Sequence, residues 1–320
     1  MKNPVSLKIK NQLRVLEKEL RKSVNGAGPT VKQSYLETIS AGGKRLRPAI
    51  VFLCSQFKGA DKDGVNKAAL AVEIIHAASL IHDDIMDGAA IRRGQPTIYS
   101  KRGSQSALRT GDYLFAKSFL LLNETGNFEA VSILSRAVKK LSEGELEQIK
   151  SAFNKEQELS YYYQKIGCKT AALFRASAEL GALFGNADQN YIKALGDYAE
   201  NLGVAFQVYD DVLDIEADEE ALGKSLGTDL KDGTLTLPII MALKESNSQR
   251  LADIFTSENN DEQDIAEGLH IIVSTKAAEK SKKEAKRFVD KATQCLAPIR
   301  EEKLKKELKA ICEYTIERYN

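Results

Sequence analysis

Six aspartates fall in two short clusters whose spacing suits chemistry with a divalent cation. His82-Asp83-Asp84-Ile85-Met86-Asp87 ends an apolar run over 68–81, and Asp210-Asp211-Val212-Leu213-Asp214 ends a second run over 198–209. Both runs have helical spacing. At about 100° per residue, Asp83 and Asp87 share one helix face with Asp84 beside them. Acids crowded at the end of an apolar helix repel one another. Mg²⁺ relieves that conflict, because it takes oxygen ligands and is held by one or two carboxylates together with phosphate. One such cluster alone is as readily a solvated helix end. Two, facing each other across a bundle, point to a metal site in the bundle core.

Basic segments lie between and before the acids. Gly42-Gly43-Lys44-Arg45-Leu46-Arg47-Pro48 pairs two glycines with three cations. Glycine lets the backbone approach an anion, and arginine grips phosphate in a planar fork. The bland alternative is a solvated basic loop. Arg92 and Arg93 follow Asp87 closely enough to reach phosphate held by a metal there. His76 lies two turns before Asp83 on nearly the same face, where a lone histidine is more often a satisfied core residue. Gly167 reads as a turn that starts a helix at Lys169 and Thr170, a favourable place for an anion. The polar stretch 216–233 reads as a lid that carries Lys224.

The elements that must position these groups are helices. Leu7, Leu13, Leu16, Leu20 and Val24 define an amphipathic N-terminal helix over 6–24. Further helices are expected over 30–40, 48–58, 64–87, 105–122 and 128–152, then up to Asp214, and over 261–271, 273–295 and 299–317. Tryptophan is absent, the six prolines are few, and strand-like alternation is scarce. These features predict an all-α chain, with 1–320 forming a single domain.

Composition excludes several classes. The net charge of +1 provides no field for nucleic acid. Four scattered cysteines read as free thiols in a reducing cytoplasm, and three histidines argue against a His-rich metal site. The N-terminus lacks the apolar core of a signal peptide, and no continuous apolar stretch reaches the roughly 18 residues of a transmembrane segment.

Taken in order, Gly42 to Pro48, His82 to Asp87, Arg92-Arg93-Gly94, Lys169-Thr170, Phe206-Gln207 with Asp210 to Asp214, and Gly223-Lys224 resemble the trans-isoprenyl diphosphate synthase (polyprenyl synthetase) family. The motifs span roughly residues 35–240. The resemblance implies an antiparallel helical bundle of the isoprenoid synthase type around a deep central cavity, usually as a homodimer. It implies a prenyltransferase that joins isopentenyl diphosphate to an allylic diphosphate. It also implies three Mg²⁺ per site, held by Asp83, Asp87 and Asp210, with Asp84, Asp211 and Asp214 direct or water-mediated. Arg92, Lys169, Thr170, Gln207 and Lys224 are the implied partners of the allylic diphosphate. Lys44, Arg47, His76 and Arg93 are those of isopentenyl diphosphate. Asp83, Asp84, Asp87, Asp210, Asp211, Lys169 and Lys224 form the catalytic set.

One departure stands out. Where the family often has Gly-Lys-x-Thr-Leu-Pro, this chain reads Gly233-Thr234-Leu235-Thr236-Leu237-Pro238. Lys231 is the candidate to compensate.

Product length is partly readable. A tail running down the first acidic helix meets Ala78 and Ser79 roughly 6–7.5 Å below Asp83, then Ile75 and Val72. Small residues there imply a product longer than farnesyl, with Phe115 or Phe119 as candidate floor. Two rivals remain. A subunit of a heteromeric synthase is one, either catalytic with a helper or non-catalytic; a non-catalytic subunit usually loses motif acids, and both triads stand here. A terpene cyclase is the other; its second cluster usually carries Asn and Ser or Thr.

Overall fold

The structure, a computed structural model, describes residues 6–216 and 226–317. It is built almost wholly of helices. The N-terminal helix α1 spans Leu7–Lys22, followed by α2 (Pro29–Ser40), α3 (Leu46–Cys54) and the long α4 (Lys62–Met86). A two-residue-per-strand hairpin, β1 (Ile91–Arg92) with β2 (Gln95–Pro96), leads into α5 (Ile98–Asn123) and α6 (Phe128–Lys150). Then come α7 (Leu159–Ile166), a π-helical turn at Gly167–Ala171, α8 (Ala172–Phe184) and α9 (Gln189–Glu216). The C-terminal part holds a short turn of helix, α10 (Thr228–Lys231), then α11 (Leu237–Ser246), α12 (Gln249–Thr256), α13 (Glu262–Val273), α14 (Ala277–Cys295) and α15 (Glu302–Glu317).

The sequence explains where these elements start. Asp61 caps α4 by accepting the N–H groups of Asp63 and Gly64, Thr97 caps α5, and Asn127 caps α6. At the hairpin tip, Arg93 and Gly94 both have positive φ (53° and 70°), the geometry of the tight two-residue turn that suits twisted strands.

The core has two parts. The larger surrounds α4, whose Ala68, Val72, Ile75 and Ala78 are fully buried. The smaller lies among α7, the lower half of α9 and α11 to α14. Both α9 and α14 contribute to each part, Leu202 and Val289 to the first, Val208 and Ala285 to the second. Among the described helices only α4 is long and apolar enough to cross a membrane, and 67% of that window is buried inside the protein. Cys54, Cys168, Cys295 and Cys312 are free.

Two expectations change. Gly167 does not break the chain. The helix continues from α7 through the π turn into α8, so Lys169 and Thr170 do not stand at a helix N-terminus. The stretch after Asp87, for which no element is expected, forms the β1–β2 hairpin. Of the expected lid at 216–233, residues 217–225, and with them Lys224, lie outside the described residues. Residues 226–233 are packed structure: Leu230 of α10 is buried, and Gly227 lies against Ile265 and Leu269 of α13.

Candidate active site

The first acidic cluster ends α4. Asp83 is half-buried, Asp87 is exposed at the C-cap, and Asp84 is buried. Arg92, carried back by the hairpin, donates from Nε to Asp84 Oδ1 at 2.5 Å. Burial pushes Asp83 up to about 7; Glu145 and Asp87 add to the rise, while Lys169 and Arg92 oppose it. Asp84 is also raised by burial, against the pull of Arg92.

The second cluster occupies the last two turns of α9. Asp211 accepts from the Tyr162 hydroxyl at 2.6 Å and from Gln207 Nε2 at 2.9 Å, and Gln207 Oε1 in turn accepts from the Thr170 hydroxyl at 2.6 Å. Burial pushes Asp211 up to about 6, although both of its donors pull it down. Asp214 is buried and uses Oδ2 to accept the Asp229 N–H at 2.9 Å, so it anchors the returning chain at α10.

The π turn lies between the clusters. Lys169 pairs with Glu145 at 2.8 Å and faces Asp83, while its neighbour Thr170 reaches the second cluster through Gln207. Burial pulls Lys169 down, but Asp83 and Glu145 more than reverse it, so its ammonium is held above the ordinary value. Two glycines let the flanking helices close on this turn. A Cβ on Gly144 of α6 would sit 2.8 Å from Lys169 N, and one on Gly203 of α9 would sit 2.7 Å from Ala171 Cα. Single π turns inside α-helices are frequent at functional sites.

A cavity of about 500 Å³ adjoins the acids, lined by Lys44, Arg47, His76, Arg93, Phe174 and Asp210 among others. It unites the two basic segments, because Arg93 Nη1 donates to the Gly42 carbonyl. Arg47 stacks its guanidinium 4.8 Å from the Phe174 ring centre, and its buried Nε has no hydrogen-bond partner among the described residues. Burial pulls Arg47 down to about 10, against the attraction of Glu73 and Asp210. His76 is held well below its usual value by burial and then by Arg47 and Arg93, so its imidazole is neutral. Beneath the loop, Arg45 adopts φ 50° and donates to Glu17 (2.6 Å) and Glu73 (2.7 Å), which fixes the turn that presents Lys44 and Arg47.

The donor set fits Mg²⁺ of one kind only. Among the described residues no three acidic, His or Cys side chains converge into a cage. Hard carboxylates in two separated groups, with Lys169 beside the first and an orphan Arg47 N–H in the adjoining cavity, suit ions shared with phosphate oxygens.

Comparisons with known proteins place the chain in a family. The Polyprenyl synthetase family model matches residues 29–272. The chain belongs to the polyprenyl synthetase family. This polyprenyl synthetase is 36% identical over 306 residues to heptaprenyl diphosphate synthase component 2 of Bacillus subtilis, covering 96% of this chain and 88% of that protein. Its fold matches that of heptaprenyl diphosphate synthase from Staphylococcus aureus with a TM-score of 0.92, at 29% identity over 99% of this chain and 100% of that one. It also matches a polyprenyl synthase from Caulobacter crescentus complexed with calcium and isoprenyl diphosphate, with a TM-score of 0.91 at 31% identity over the whole of both chains. The all-α architecture of the polyprenyl synthetases is therefore that of this chain.

Sequence reasoning passed over three residues of the site. Glu145, in the legible pattern Glu143-Gly144-Glu145, holds Lys169. Tyr162 holds Asp211. Lys165, one turn after Tyr162, is 5% exposed and donates to the Leu235 carbonyl at 3.3 Å. Burial pulls Lys165 down, while Asp211 and Asp229 favour its charge. No periodicity flagged it, because a lysine in a tyrosine-rich amphipathic segment reads as solvated. Lys231, the candidate to compensate for Thr234, is exposed.

Proposed function

We propose that this chain is an Mg²⁺-dependent trans-prenyltransferase. It condenses isopentenyl diphosphate head-to-tail with an allylic diphosphate and makes a polyprenyl diphosphate longer than farnesyl. The observation that carries this reading is the single π turn that sends Lys169 toward one acidic cluster and Thr170 toward the other, beside a basic cavity.

Asp83, Asp87 and Asp210 would hold the ions, with Asp84 and Asp211 orienting them through Arg92, Tyr162 and Gln207. Bound Mg²⁺ supplies charge that stabilises diphosphate as it leaves the allylic carbon. Lys169, Arg92 and Thr170 bind the same diphosphate and hold its oxygens against the developing charge. Lys44, Arg47 and Arg93 hold isopentenyl diphosphate, and neutral His76 can donate to it without adding charge. Phe174 and Phe206 help keep water from the allylic cation, which the isopentenyl double bond attacks. The proton then lost goes to the departing diphosphate, since no side chain of the site among the described residues stands as a general base.

The same reading takes the chain as one cytoplasmic domain. It also takes the chain as a homodimer, supported by apolar Leu108, Leu120 and Phe128 exposed on α5 and α6. A second reading, a catalytic subunit that needs a helper, is favoured by the relative named component 2. One experiment separates them. Purified protein is incubated with Mg²⁺, isopentenyl diphosphate and farnesyl diphosphate, and products are sized by mass spectrometry. A prenyl ladder with a defined end supports the self-sufficient enzyme. Its absence, with activity regained on adding a partner from cell extract, supports the subunit. No product under either condition removes the prenyltransferase reading.

A further inference from the structure

Lys165 is a buried charge that the reaction scheme above leaves unused. Its ammonium has three donors, and the one hydrogen bond it makes among the described residues is the long contact to the Leu235 carbonyl. A buried cation with so little satisfaction is costly unless something completes it. The charged groups that act on it belong to the site: Asp211, Asp229 and Glu145 favour its charge, and Lys169 opposes it.

The neighbouring turn carries a second unsatisfied group. Thr236 is 3% exposed, and its hydroxyl has no hydrogen-bond partner among the described residues. The turn itself is well fixed. Thr234 N donates to Asp229 O at 2.8 Å, and Phe153 N donates to Gly233 O at 2.9 Å. The Lys165 ammonium therefore reaches a rigid turn whose carbonyl at 235 it touches and whose position 234 carries no charge. On the same face of α7, Tyr162 already serves Asp211. An ammonium with one hydrogen bond to the Leu235 carbonyl, and the unpartnered hydroxyl of the next residue, Thr236, are groups that an anion with several oxygens would complete.

We propose that Lys165 is a diphosphate-directed cation of this active site, delivered from α7 to the turn where the chain carries Thr234. The inference rests on the prenyltransferase reading and names one more residue for its substrate. Lys165 supplies from one side of the turn the charge that a lysine at position 234 would supply from the other.

The test uses the full chain and Mg²⁺ with inorganic pyrophosphate as probe, read as the rise in melting temperature with pyrophosphate concentration. Lys165→Met is expected to melt, without ligand, at or above the parent temperature, because it removes a poorly compensated buried charge. Its pyrophosphate affinity should fall about 10- to 100-fold, the scale of one lost charged hydrogen bond. Adding Thr234→Lys to Lys165→Met should recover most of that loss. If Lys165→Met does not fold, Lys165→Gln replaces it with the same expectations.

Undiminished pyrophosphate affinity in the neutral variant overturns the proposal. So does a lower ligand-free melting temperature with unchanged affinity, which marks a purely structural lysine, or a loss that Thr234→Lys leaves unrepaired. The parent protein is the control for the reading underneath. If it neither responds to pyrophosphate nor forms prenyl products, the prenyltransferase assignment fails, and the result does not bear on Lys165 alone.

Discussion

Arg92 Nε donates to Asp84 Oδ1 at 2.5 Å, so the middle acid of the first cluster is answered by the protein itself. Asp83, one residue earlier, has no such donor among the described residues and feels the charge of the Lys169 ammonium. The two adjacent aspartates are therefore unequal, although the sequence writes them alike.

That inequality predicts different kinetic costs. Asp83→Ala should lower turnover by about 10²–10³-fold or more, the usual scale for losing one preorganised electrostatic group. Asp84→Asn keeps a partner for Arg92 and should cost about tenfold or less. Steady-state condensation rates at saturating Mg²⁺ compare them. Equal losses would mean that the Arg92 contact does not set Asp84 apart.

The metal-free protein should grow less stable as pH rises through the neutral range. Asp83 is raised to about 7 and Asp211 to about 6, each mainly by burial. The folded state thus holds these protons more tightly than the unfolded chain. Their contribution is complete below about pH 4, where the unfolded carboxylates titrate, and is lost as pH climbs through the raised values. Glu37, lowered to about 2 by Arg102, acts in the opposite sense but in a more acidic window. Urea midpoints at about pH 5 and about pH 8 check this. Without metal the midpoint should be lower at the higher pH, and Mg²⁺ with pyrophosphate should narrow the gap.

The brace under the basic loop gives a stability prediction. Arg45 and Glu73 form a pair whose side chains are 10% and 5% exposed. Removing one partner of a buried pair leaves the other uncompensated, and Glu17 offers only a half-exposed substitute. Glu73→Ala should destabilise the fold by about 3 kcal/mol and raise the KM for isopentenyl diphosphate, because Arg45 then no longer fixes the turn that presents Lys44 and Arg47. Urea unfolding and initial rates measure the two effects. An unchanged KM in a destabilised protein would confine Arg45 to the scaffold.

Much of this is legible in the sequence. The helical pattern reported α4 and α9 because a strong apolar period ends in acids in both. The basic loop was visible because glycine and arginine chemistry is local. What stayed hidden was set by tertiary approach. Gly167 reads as a helix break, yet close packing of Gly144 and Gly203 carries the chain through a π turn. Lys231 looks like the substitute for a missing cation because it is near position 234 in sequence, but it points to solvent. Lys165 is remote in sequence and touches Leu235 in space. Asp214 shares its motif spacing with Asp87, and only the fold reveals its bond to the Asp229 N–H.

Product length should answer to the stripe of α4 below Asp83. His76, Ser79, Leu80 and Asp83 keep partial exposure at helical spacing, whereas Ile75 and Ala78 are fully buried beside them. A tail entering along this stripe meets Ser79 first, whose hydroxyl is turned back onto the His76 carbonyl at 3.0 Å. Phe115 stands close by, with its ring 5.4 Å from that of His82. Ser79→Phe should therefore fold normally and shorten the product. Ala78→Phe should also shorten it, and should cost about 1–3 kcal/mol of stability because it overfills a packed position. Mass spectrometry of the products from farnesyl diphosphate reads both variants. A product distribution unchanged in both would place the floor away from α4, with Phe115 and Phe119 of α5 the next positions to replace, whereas shortening by Ser79→Phe alone would fix the tail's path along the exposed stripe.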